Sequence, residues 1–115
     1  MKAKITLDGL RAELSRNLYR VEISIEAEPS GLRGEVYTIR VYAVPKLPFL
    51  REVLGTPRIG ALEAIPKGDG IYEVDVWDLF RVLKYGAKEA DDLDLKCKRL
   101  IERLRELVSE KEPER

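Results

Sequence analysis

Two groups of carboxylates are the residues of this chain whose types and spacing come closest to chemistry. Glu89, Asp91, Asp92 and Asp94 fall within six residues, and several carboxylates inside one turn could offer hard oxygen ligands to Mg²⁺ or Ca²⁺. Helical geometry works against that, because residues one and two apart point about 100° and 200° around the axis rather than at one ion. The simpler expectation is that these acids favour the positive end of a helix and that Asp94 pairs with Lys98 one turn on. The second group is Asp69, Glu73, Asp75 and Asp78. Two carboxylates held about 5 to 10 Å apart can hydrolyse a glycosidic bond, and neighbouring ones can hold the metal of a nuclease. Glu73 and Asp75 would share a strand face, but Asp75 and Asp78 also stand where helix caps belong. We expect no catalytic residue, no metal site and no cofactor. A metal-dependent hydrolase using carboxylates near Asp75 or Asp91 is kept as the third reading.

Composition narrows the chemistry further. The chain has 115 residues with no His and one Cys, beside 21 basic and 21 acidic side chains. It has no Gln, and Asn17 is its one asparagine. No imidazole base, no Cys–His or Ser–His pair, no Cys/His zinc site and no disulfide can be built within one chain. Depletion of heat-labile side chains in favour of Glu and Arg is the archaeal-like pattern expected of a hyperthermophile, where ion-pair networks replace them. The first residues lack the apolar run of a signal peptide and no window reaches membrane-spanning length, so a cytoplasmic protein with no membrane partner is expected. Cys97 falls in an apolar helical stripe, where a thiol behaves as a small hydrophobe.

The formal net charge is zero, which argues against a protein that coats nucleic acid through many phosphate contacts. A local patch survives that objection. Arg40, Lys46, Arg51 and Arg58 are interleaved with Tyr42, and guanidinium groups beside rings are what a single-strand binding face requires. RNA or single-stranded DNA is therefore the alternative partner. The same region carries a different signal: Leu47, Phe49, Leu50, Val53 and Leu54 put five large apolar side chains into eight residues of a connection. They must either fold back as a lid or form a contact surface. With Leu95 opposite the main stripe of the last helix, Leu47, Phe49, Leu50 and Leu54 are the expected partner or dimer contacts.

The elements that position these residues follow from periodicity. Residues 2–7 alternate weakly. Residues 10–18 read either as a short helix, from Leu10, Leu14 and Leu18, with Asp8 as a possible N-cap, or as a strand after Asp8-Gly9. From Tyr19 to Glu28 the alternation is of period two, Pro29 to Gly34 makes a turn, and Glu35 to Val44 returns, which is a hairpin. Pro45 and Pro48 stop the strand and open one or two helical turns closed by Gly55. Residues 58–65 and 71–76 flank the Gly68-Asp69-Gly70 turn as a second hairpin, weakened or bulged at Gly60. A helix from about 76 to 85, apolar almost all round, ends at Gly86. A second runs from about 88 to 112, and Leu93, Cys97, Leu100, Leu104 and Leu107 step along it by four and three. Ala90, Ile101 and Val108 widen that stripe to about 120°, which suits packing on a sheet.

The expectation is one α+β domain over residues 1–115: an antiparallel sheet of about four or five strands in two hairpins spanning 1–76, helices over 77–112, and a frayed tail at 113–115. An open barrel of oligonucleotide-binding type with an appended helix is the alternative fold. The leading functional expectation is a small, non-enzymatic, heat-stable interaction module. Its partner would be itself, as a homodimer, or another protein.

Overall fold

The computed structural model describes residues 1–29 and 35–111. The turn at 30–34 and the tail at 112–115 therefore lie outside the described residues. The fold is α+β, with a five-stranded antiparallel sheet in the order β1-β5-β4-β3-β2. Its strands are β1 (Lys2–Thr6), β2 (Tyr19–Pro29), β3 (Glu35–Pro45), β4 (Arg58–Gly68) and β5 (Ile71–Asp75). The helices are α1 (Leu7–Leu14), α2 (Pro48–Leu54) and α3 (Val76–Lys111). Strands β1 and β2 are the two edges of an open sheet, so the barrel alternative does not hold.

The ambiguous segment after Thr6 is a helix. The Thr6 hydroxyl accepts from the Gly9 backbone N–H at 3.1 Å, which makes Thr6 the N-cap and moves Asp8 into the first turn, where it pairs with Arg11 at 2.6 Å. Helix α1 stops at Leu14 because the chain must enter β2, and its end is tied down by tertiary bonds. Tyr19, fully buried, donates from its hydroxyl to the Leu14 carbonyl at 3.0 Å, satisfying one of the carbonyls that a helix end leaves open. The Ser15 hydroxyl accepts from the Val21 backbone N–H at 3.1 Å, fixing the start of β2.

Strand alternation puts Val21, Ile39, Val41, Leu62, Ala64 and Val74 into one core with Leu10 and Leu14 of α1 and Val82, Ala90 and Leu93 of α3. Both long helices thus lie on one face of the sheet. The Gly60 irregularity is present: the β3–β4 register shifts between Val41 and Tyr42, opposite Gly60. Glycine also suits a close approach there, since a Cβ on Gly60 would meet Val82 Cγ1 at 3.2 Å. The β4–β5 turn runs through Gly68, Asp69 and Gly70 at φ of 89°, 56° and 75°, a left-handed stretch that glycine supplies at no steric cost.

The two expected C-terminal helices are one. Helix α3 continues for 36 residues through Gly86. Gly86 is buried, and a Cβ there would meet the Leu14 methyls at 3.2 and 3.4 Å and the Ile59 carbonyl at 3.7 Å. The glycine allows α3 to lie against α1 and β4 rather than ending the helix.

Burial pushes the Tyr19 phenol up to about 12, with Arg16 opposing part of that rise. Its ordinary value in an unfolded chain is about 10. A folded-state value above the unfolded one gives stability that is complete below pH 10 and is lost as pH rises through 12. We expect unfolding free energy to fall by roughly 3 kcal/mol across that window. Tyr19→Phe should remove this loss in denaturant titrations at pH 9 and above; an unchanged pH dependence in the variant would assign it elsewhere.

Candidate interaction surface

Five of the eight candidate carboxylates, Glu73, Asp75, Asp78, Asp91 and Asp94, hold structural contacts. Asp75 is the cap of α3, its Oδ2 accepting from the backbone N–H groups of Trp77 at 3.0 Å and Asp78 at 3.1 Å. Asp78 pairs with Arg81 at 3.2 Å, and Glu73 lies 3.8 Å from Lys67. In the other cluster, Asp91 takes the Arg16 guanidinium at 2.7 Å. Asp94 accepts from the Leu18 backbone N–H at 3.1 Å and pairs with Lys98 at 3.6 Å. Arg16 and Asp94 thus lock the α1–β2 connection onto α3. The Arg16 guanidinium is held above its ordinary value by the hydrogen bond to Asp91. Among the described residues, no group of three acidic or thiol side chains converges as metal ligands would.

The cationic residues are only partly gathered. Tyr42 and Arg51 line one groove of about 430 Å³ with Arg20, Glu22, Val44 and Thr56. Arg58 stands beside Tyr42 in the strand register, and Lys46 is exposed at the turn after β3. The charges, however, have local work. Arg20 pairs with Glu22 at 2.8 Å and Arg40 with Glu26. Arg51 donates to the Pro45 carbonyl at 2.6 Å and to the Lys46 carbonyl at 3.4 Å, stapling α2 to the end of β3.

The apolar connection 45–58 folds back. Leu50 is fully buried, and Leu54 is partly buried against the core. The reason is that α2, opened by Pro48, turns one side of its single-sided apolar pattern onto the end of β3. Leu47 and Phe49 remain 39% exposed. Helix α3 has a similar division in its first turns: Leu79, Val82 and Leu83 pack on the core, whereas Trp77 and Phe80 face outward with rings 6.4 Å apart. Leu95, 47% exposed, stands alone on the outer side of the helix.

The largest continuous feature is at the other end of α3. At 1.5 Å per residue this helix is about 54 Å long, more than the body can cover. Side chains 79, 82, 83, 86, 90, 93 and 97 face the sheet and α1, and Cys97 is the last α3 residue to be buried among the described residues. Burial pushes the Cys97 thiol up, as expected of a packing residue rather than a nucleophile. Beyond it the stripe continues in the same direction, bordered at Ile101 by Asn17 and Leu18 of the α1–β2 connection and uncovered from Leu104 onward. Leu104 is 46%, Leu107 44% and Val108 58% exposed, and Leu100 and Ile101 are half-buried. The molecule measures 72 × 23 × 20 Å as a result. Sequence periodicity placed these residues on one face; that the sheet ends before the face does was not readable from it.

No described helix is long and apolar enough to cross a membrane. No known protein family, curated protein or solved structure matches the chain, which leaves geometry and chemistry to carry the functional reading.

Proposed function

We propose that this chain is a non-enzymatic interaction module that binds a polypeptide partner through the uncovered C-terminal end of α3. The observation that carries the reading is the stripe formed by Leu100, Ile101, Leu104, Leu107 and Val108, which continues the sheet-facing side of α3 past the body into solvent. A row of aliphatic side chains at helical spacing is the half of a helix-packing interface that a single chain cannot complete. Nucleic-acid binding is less favoured, because Arg20, Arg40 and Arg51 are already paired with carboxylates or carbonyls. A hydrolase is less favoured still, because Asp75, Asp91 and Asp94 are committed to a helix cap and to pinning the α1–β2 connection. The composition supports a cytoplasmic, heat-adapted setting.

A photo-crosslinking amino acid in place of Leu104 tests this in living cells, with the same group at Arg99, on the opposite side of the helix, as control. We expect crosslinked polypeptide at position 104 and little at 99. Equal yields at both positions, or none at either, would remove the reading.

A further inference from the structure

We infer that the open edge of β2 is continued by β1 of a second copy of this chain, set parallel to it, so that copies associate head to tail into one sheet. This contact is separate from the stripe on α3.

Hydrogen-bond direction shows which groups each edge has to offer. The Lys46 N–H donates to the Leu18 carbonyl at 2.9 Å, in the register that pairs β2 with β3. Bonding alternates along an antiparallel ladder, so Arg20, Glu22, Ser24 and Glu26 turn their backbone groups to β3, and Val21, Ile23 and Ile25 turn theirs outward. The start of that edge is already used. The Tyr19 carbonyl accepts from the Arg16 N–H at 3.1 Å, and the Val21 N–H donates to the Ser15 hydroxyl at 3.1 Å. From the Val21 carbonyl to Ile25, no backbone bond closes the edge among the described residues, and Ile25 is 37% exposed. On β1 the Val76 N–H donates to the Met1 carbonyl at 3.0 Å, in register with the β1–β5 pairing. Ala3 and Ile5 therefore bond to β5, and Lys2, Lys4 and Thr6 turn outward.

The two edges match on both faces of the sheet. Ala3, Ile5, Val21 and Ile23 lie on the core side, so Lys2 and Lys4 of β1, and Glu22, Ser24 and Glu26 of β2, lie on the other. Their signs are opposite, and the sheet already joins its strands in this way. Lys2 stands opposite Asp75 and Lys4 opposite Glu73 across β1 and β5, and Arg40 of β3 pairs with Glu26 of β2. Lysines on β1 discourage casual strand addition but suit an acidic neighbour. Two copies of β2 would instead bring one acidic column against another.

Bonding parity fixes the direction. In a parallel pair, a residue whose groups point across stands opposite one whose groups point away. Ile23 then faces the partner's Ala3 and Ile25 the partner's Ile5, with the partner's Lys2 beside Glu22 and its Lys4 beside Ser24, diagonal to Glu22 and Glu26. Roughly five hydrogen bonds join the Val21–Ile25 edge to the new strand. An antiparallel pair would set Ile23 and Ile25 against the lysines. Because the two edges are different surfaces, each added copy presents a fresh β2, and growth does not close at two. One strand of 5 residues is a small contact, so association is weak.

Sedimentation equilibrium on the purified full chain from about 10 to 1000 µM at low salt reads the assembly. We expect an average mass that rises past the dimer and falls when salt screens the charged columns. Ser24 is exposed, so its variants leave the fold intact. Ser24→Glu should tighten the contact about two- to fivefold and Ser24→Lys weaken it by a similar factor, and adding Lys4→Glu to Ser24→Lys should restore it. Ile25→Pro, which removes an N–H that the fold itself does not use, should abolish association with the circular dichroism unchanged. A monomer throughout, a mass that stops at the dimer, or equal effects of Ser24→Glu and Ser24→Lys overturns the inference. Association that is lost on Leu104→Asp but indifferent to position 24 also overturns it, and assigns the self-contact to α3.

Discussion

Replacing Gly86 by leucine is expected to cost roughly 3 kcal/mol of unfolding free energy, within the range for forcing extra atoms into a packed core. Gly86 is buried where α3 crosses α1 and β4, and even a Cβ would stand 3.2 Å from one Leu14 methyl and 3.4 Å from the other. Leu14 is 1% exposed, so its side chain has little room to retreat. The remaining atoms of a leucine would push α3 off the sheet along a line that also carries the Asp91–Arg16 and Asp94–Leu18 contacts. Gly86→Ala is the informative companion. Alanine gains about 1 kcal/mol of helix propensity over glycine, which offsets the squeeze on Leu14, so its stability should lie close to that of the parent. Urea unfolding of the three proteins separates these outcomes. If the leucine variant unfolds at the parent's midpoint, close packing is not what requires glycine there.

Leu50→Asp should have an effect at least as large. Leu50 is fully buried beneath α2, so the substitution loses the packing of a leucine, about 2 to 5 kcal/mol when truncated to alanine. It also places a carboxylate where nothing compensates its lost hydration. In a protein of ordinary stability, about 5 to 15 kcal/mol, that is most or all of the margin. Phe49→Asp, one residue away on the 39% exposed side of the same short helix, is expected to change stability by less than about 1 kcal/mol. Thermal melts of the pair tell a lid from an interface. Equal and small effects would mean that α2 does not close over the core in solution.

These two positions also mark the limit of what the pattern of residues could reveal. Gly86 follows a stretch that is apolar almost all round, and glycine after such a stretch reads as a helix stop. It is instead a mid-helix contact with Leu14 and Ile59, partners 72 and 27 residues away that no local pattern names. Residues 47–54 announce themselves as too apolar for a loop, yet their spacing does not say whether the surplus turns inward or outward. The answer differs between neighbours, with Leu50 inside and Phe49 at the surface.

What the sequence determined by itself is the set of properties that local periodicity and capping control. The period-two runs became the two hairpins, Pro45 and Pro48 closed β3 and opened α2, Asp75 capped α3, and Asp94 found Lys98 one turn on. Each depends on groups within a few residues of one another, where backbone geometry fixes the outcome. The tertiary structure alone decided how far each apolar face is covered. The stripe from Leu79 to Val108 runs straight along one side of α3, and nothing in its pattern changes at Cys97. What changes there is the other side of the contact: sheet and α1 lie beneath the stripe up to that residue, the α1–β2 connection only borders Ile101, and Leu104, Leu107 and Val108 are exposed. Coverage is a property of two surfaces, and a sequence pattern describes only one of them.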